Sequence, residues 1–166
     1  MGGANTKFST SSTFEMRGLA SALFSVSVAV WVGGMLAIGF VAAPVLFTQL
    51  ADRSVAGNLA GTMFSVISWV GLACGSYLTL FMVSVKGRNA KSSVVFWIVL
   101  LMLCLTVVGH FGVQPIMAQL QADALPSRIM QSVLRDRFVS WHRISTALYL
   151  LQTLLGIALV VLQERG

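Results

Sequence analysis

Charge is what this chain has least of. Only 10% of its 166 residues are charged and 57% are apolar, where an average soluble domain is about a quarter charged. An ordinary water-soluble fold is therefore excluded. Disorder is excluded as well, because it needs low hydrophobicity and high charge, and mean hydropathy here is +0.86. Acids are scarcest: Glu15, Asp52, Asp123, Asp136 and Glu164 are all there are. None lies inside a long apolar stretch, so paired-carboxylate acid–base chemistry and carboxylate proton relays lack their usual parts. The two cysteines, Cys74 and Cys104, have no spacing that marks a disulfide framework or a zinc site. They read as packing residues. No His-Glu-x-x-His, Gly-x-Ser-x-Gly, phosphate-loop or dinucleotide fingerprint occurs, so an enzyme is not the expectation and could work only through the histidines. No basic segment is long enough to dock nucleic acid, and the pI of about 10.2 reads as Lys and Arg set against lipid headgroups.

What is there is a set of four charge-free stretches, Leu19 to Gln49, Ser54 to Val85, Ser92 to Ala122 and Ile144 to Gln163. About 20 apolar residues at 1.5 Å rise cross a hydrocarbon core of about 30 Å, so each stretch spans once. β-Barrel strands would be about 10 residues long and alternate, which these do not. The expectation is an all-α integral membrane protein: a four-helix up-down bundle, with spans near 19–49, 55–85, 93–121 and 139–163. It forms a single domain over 19–163, preceded by an N-terminal segment over 1–18. The first stretch is too long for a signal-peptide core of about 7 to 15 residues and is expected to be a retained anchor.

An even number of spans puts both termini on one side, with Lys7, Arg17, Lys86, Arg88, Lys91 and Arg165; Arg53, Arg128, Arg135, Arg137 and Arg143 fall on the other. The cation-only loop from Lys86 to Lys91 tips the positive-inside rule toward cytoplasmic termini. The expected location is a bacterial inner membrane.

Helices in lipid gain nothing from hydrophobicity when they associate, so they rely on small residues and on polar groups that bond across the interface. Ser21, Ser25, Ala29, Gly33 and Ala37 recur every fourth residue on the first span. Gly57, Gly61 and Ser65, then Gly71 and Gly75, do so on the second. These stripes are expected to face inward, with Pro44 and Pro115 shaping the ends of spans one and three. Between Ala122 and Arg137, Pro126 suits a first helical turn, and Ile129, Met130, Val133, Leu134 and Phe138 recur at helical spacing. That predicts a short amphipathic helix before the last span.

The polar residues that cost energy in a membrane are the informative ones. His110, Gln114, Met117 and Gln121 share one face of span three. His142 opens span four, followed by Ser145, Tyr149 and Gln152. Up-down order brings both histidines to one end of the bundle, beside Pro44 and Phe47. Three readings stay open. In the first, the imidazoles only bond neighbouring helices, with Gln114 or a carbonyl near Pro115 as the partner of His142. In the second, His110 and His142 hold a haem or copper, with Met35, Met63 or Met117 as soft partners. In the third, they line a polar cavity for a small ligand or solute with Gln114, Ser145, Tyr149 and Gln152. A structural subunit of a larger membrane complex, or a homo-oligomer, is the alternative that would use the small-residue stripes.

Trp31 with Gly33-Gly34, Pro44-x-x-Phe47, Gln114-Pro115 and above all Phe138-Val-Ser-Trp-His142-Arg-Ile-Ser145 resemble the transmembrane-protein-205-like family. Its bacterial members form domain-of-unknown-function family 4149. The resemblance runs from about Leu19 to Leu162. It implies a four-span membrane domain with no established reaction, in which Trp31, Gly33, Pro44, Pro115, Phe138, His142 and Ser145 match recurrent residues. His110 is not placed by that pattern.

Overall fold

The computed structural model of the chain describes residues 6–123 and 131–163; the side chains of 6–17, 86, 88–90, 121–123, 131–136 and 138 are outside that description. Helix α1 (Thr6–Leu36) passes through a π-helical segment, Ala37–Ala42, into α2 (Ala43–Gln49). After a tight turn come α3 (Arg53–Lys86) and a 3-10 turn, Gly87–Ser92. Helix α4 (Val94–Val107) passes through a second π-helical segment, Val108–Val113, into α5 (Gln114–Asp123), and α6 (Gln131–Gln163) ends the described chain.

Four helical stretches are long and apolar enough to cross a membrane: Gly18–Gln49, Arg53–Val85, Val94–Leu120 and Val139–Gln163. The protein is an all-α, four-span integral membrane protein. Helix α1 packs on α3 and α6, and α4 also packs on α3 and α6. Chain neighbours are thus spatial neighbours, and the fourth span closes the ring on the first, which is the up-down bundle. The amphipathic stretch expected before the last span runs into it unbroken from Gln131, while Pro126 lies outside the described residues.

Local chemistry fixes the turns. The Asp52 carboxylate caps α3 by accepting the Ser54 N–H at 2.8 Å, one of the donors a helix start leaves unpaired. At the other end Gly87 has φ 53°, and its N–H donates to the Val83 carbonyl; glycine takes this left-handed φ without a Cβ clash. As span three begins, the Trp97 indole N–H donates to the Lys91 carbonyl at 2.9 Å, a position suited to the headgroup layer.

The packed core is Val28, Trp31, Val32, Met35, Ile67, Leu78, Val99, Met102 and Leu159. It is assembled by setting large side chains into glycines. A Cβ on Gly71 would collide with the Trp31 indole, and one on Gly75 would lie 2.9 Å from the same ring. A Cβ on Gly156 would lie 3.2 Å from both Val32 methyls. Gly34 receives Ile67, and Gly39 receives the Tyr149 ring. Because lipid is as apolar as leucine, this close contact and its dispersion energy hold the helices together.

One expectation is corrected. The first-span stripe Ser21, Ser25, Ala29, Gly33 and Ala37 faces outward, every member exposed, and a Cβ on Gly33 would meet nothing within 4 Å. The inward face carries Val28, Trp31, Val32 and Met35 instead. A glycine permits close approach only on the side where a partner sits, and successive helical residues point about 100° apart. Gly34 therefore meets a neighbouring helix where Gly33 does not.

Candidate functional site

Both π-helical segments end one residue short of a proline. The Ala43 N–H donates to the Ile38 carbonyl and the Gln114 N–H to the Gly109 carbonyl, each five residues back, and Pro44 and Pro115 follow. A proline ring collides with the carbonyl four residues earlier, here Phe40 and Phe111. The widened turn relieves that collision without breaking the helix. Both segments lie at the same end of the bundle, because span one ends where span three ends.

There the helices flank a half-open cavity of about 1620 Å³. His110, Gln114, His142, Ser145, Tyr149 and Gln152 all line it, as do Trp31, Pro44, Gly57, Gly61 and Pro115. Met35 and Met117 line it too, and Met63 does not. Gly33, Gly71 and Gly75 are likewise not part of the lining. The second-span glycines accordingly divide: Gly71 and Gly75 accept Trp31, whereas a Cβ on Gly61 would meet nothing within 4 Å. Phe138 belongs to α6, but its side chain is outside the description.

The cavity's polar groups are mostly engaged. At its inner limit the buried Gln152 amide donates to Thr106 Oγ1 at 2.6 Å, and Thr106 donates to the Met102 carbonyl at 2.8 Å. The same pattern recurs higher up, where the Gln114 amide donates to Ser68 Oγ at 3.2 Å and Ser68 donates to the Phe64 carbonyl at 2.8 Å. Each hydroxyl bonds its own helix and receives an amide from another, so the pairs act as interhelical adhesive. The Tyr149 hydroxyl donates to the Met35 carbonyl, at the turn that enters the first π-helical segment. Its ring meets Phe64 edge-on at 5.2 Å.

His110 is different. It lies in the second π-helical segment, half-buried, with Trp69 at 4.9 Å and Phe111 at 4.8 Å, both edge-on. Its Nδ1 is buried without a hydrogen-bond partner. His142 is exposed at the outer part of the cavity, and its carbonyl accepts the Thr146 hydroxyl at 2.8 Å. Among the described residues no group of three or more His, Cys, Asp or Glu is placed to hold a metal ion.

Sequence reasoning missed Thr106, Ser68 and Arg53 as members of this site. Thr106 was within reach of the pattern, since it stands one helical turn before His110 on the face that carries Gln114. Ser68, three residues after Ser65, could be read from the sequence only as a further small residue of the second span. Arg53 was counted with the loop charges, but as the first residue of α3 it lines the cavity.

Comparison with curated proteins and with solved structures gives no match. Comparison with protein families matches residues 26–126 to the family described as a domain of unknown function (DUF4149). The match begins within the first span, takes in the second and third, and ends before Phe138, His142 and Ser145. It covers more than half of the chain, which therefore belongs to the DUF4149 family.

Proposed function

We propose that this protein is a non-enzymatic membrane protein that binds a small lipophilic molecule bearing a polar group, or assists its passage, through the cavity around His142. The observation that carries this reading is the gathering of six polar side chains from α5, α6 and the π-helical segment of span three around one 1620 Å³ space. Small-molecule sites run from about 300 to 1,000 Å³ and are mostly apolar with a few placed polar groups, and this space is at least that large. In a bacterial inner membrane with both termini cytoplasmic, as the Lys86 to Lys91 loop favours, the cavity belongs to the outer leaflet. The transmembrane-protein-205-like resemblance rests on the Phe138 to Ser145 motif, whose His142 and Ser145 line the same cavity.

The test is mass spectrometry of molecules that copurify with the parent protein, His142→Ala and Gly61→Leu from the same membranes. Gly61→Leu adds bulk to the cavity at a position where a Cβ meets no neighbour. A molecule held near stoichiometry by the parent and lost from both variants is expected. Equal retention by all three overturns the reading. A haem- or copper-binding role draws on one observation, that His110 and His142 share the cavity with Met35 and Met117. It predicts that protein from metal-replete cells carries haem absorbance or stoichiometric copper, which His110→Ala removes.

A further inference from the structure

The cavity is long as well as large, and its charge is of one sign. Its lining on α3 runs from Arg53 to Ser68, which at 1.5 Å per residue is about 22 Å of helix axis. One leaflet, hydrocarbon plus headgroups, is half of a bilayer of about 40 to 45 Å, and so matches that length. The two ends of the cavity differ. Arg53, Asn58 and His142 line the end nearest the turns beside Pro44 and Phe47, whereas Trp31, Ile67 and Leu105 line the end near mid-bundle, where the polar pair Gln152 and Thr106 is already bonded to each other. Among the described lining residues there is a permanent cation, Arg53, and no carboxylate. Asp52, the nearest acid in sequence, is committed to capping α3 through the Ser54 N–H and is not part of the lining.

A guanidinium in this setting recognises an anion with paired oxygens, which a carboxylate or phosphate supplies. The apolar remainder then asks for a chain that extends toward Trp31. We infer that the occupant is an anionic amphiphile, a single acyl-type chain with a carboxylate or phosphate head, standing in the cavity as a lipid stands in one leaflet, with its head at Arg53. This rests on the ligand-binding reading above and names its ligand class.

The experiment uses full-length protein in a neutral detergent, with Trp69, Trp97 and Trp141 replaced by Phe so that Trp31 is the sole indole. The probes are a long-chain carboxylic acid brominated near its tail, the alkyl phosphate and the alcohol of the same chain, and inorganic phosphate as competitor. Bromine quenches an indole at short range without needing contact, so quenching reports a chain whose tail comes close to Trp31, which is itself fully buried. Saturable quenching by the acid and the alkyl phosphate is expected, with half-saturation about ten-fold below that of the alcohol, the scale of one charge-assisted contact. Arg53→Gln removes that advantage and Arg53→Lys restores part of it. Arg143→Gln, which alters an exposed cation outside the lining, leaves it intact. Inorganic phosphate does not compete, since the chain supplies most of the contact.

Equal half-saturation for acid and alcohol, or equal losses from Arg53→Gln and Arg143→Gln, overturns the anionic class. Displacement of the acid by inorganic phosphate overturns the amphiphile in favour of a simple anion site. If quenching saturates and Gly61→Leu abolishes it while the acid has no advantage, the cavity reading stands and only the class falls. If no probe gives saturable quenching, or Gly61→Leu changes nothing, both fall together.

Discussion

Ten residues apart on α3, Gly61 and Gly71 meet opposite surroundings. At Gly71 the Trp31 indole fills the space that a side chain would need, and at Gly61 nothing comes within 4 Å. The same contrast divides the bundle. Around Trp31, Leu78, Val99, Met102 and Leu159 the helices pack into one buried cluster, with Trp31 set against Gly71 and Gly75 and Met102 against Gly156. Around His110 and His142 two of the four spans carry π-helical segments before prolines, and the helices part around a cavity. Small residues alone do not close helices on one another. A large neighbour must reach across, and the wider turns before Pro44 and Pro115 mark the end at which spans one and three no longer do so.

That contrast can be broken by substitution. The largest effect is expected from Trp31→Ala, which removes the side chain that fills the Gly71 and Gly75 surfaces, at a cost of about 3 to 5 kcal/mol. Chemical or thermal unfolding in detergent measures it, and a cost under about 1 kcal/mol, which is ordinary for a point mutation, refutes the packing role. Next is Gly71→Leu, with an overpacking cost of about 1 to 3 kcal/mol. Gly61→Leu, the same change on the same helix, should leave the unfolding midpoint near that of the parent. Equal losses from the two glycine variants erase the distinction between a closed and an open half.

Polar adhesives come lower. Gln152→Leu takes away the amide that Thr106 receives but leaves the Thr106 bond to Met102 in place, so its cost is about 0.6 kcal/mol and at most about 1.7. Ser68→Ala should cost about as little, since Gln114 keeps access to the cavity. Smallest is Gly33→Ala, expected to be neutral or slightly stabilising, because the position is exposed and alanine is the better helix former. A large loss there would place a partner helix on the outward stripe.

Much of this was legible in residue order. Where the few charges fall marks the ends of the spans, and up-down order then places His110, Gln114, His142, Tyr149 and Gln152 at one end. Gly71 and Gly75 are recognisable as places where helices can approach. The orientation of the first span was not legible. Apart from the serines near its start its residues are apolar all round and no charged face marks the outside, so the choice between the Gly33 side and the Gly34 side depends on where Ile67 lies. The π-helical segments were hidden for a related reason: Pro44 and Pro115 announce a disturbed hydrogen-bond ladder, but not the form it takes.

By itself the sequence determined that this chain crosses a membrane four times and that the bundle's span interiors carry no carboxylate, because burying a charge in hydrocarbon costs more than a small protein can recover elsewhere. Only the tertiary structure decided which glycines touch a neighbour, that Arg53 joins the histidines around one space, and that this space extends about the depth of a leaflet, at 1.5 Å for each residue of lining helix. Those outcomes depend on what the neighbouring helices bring to each position, and no single span specifies them.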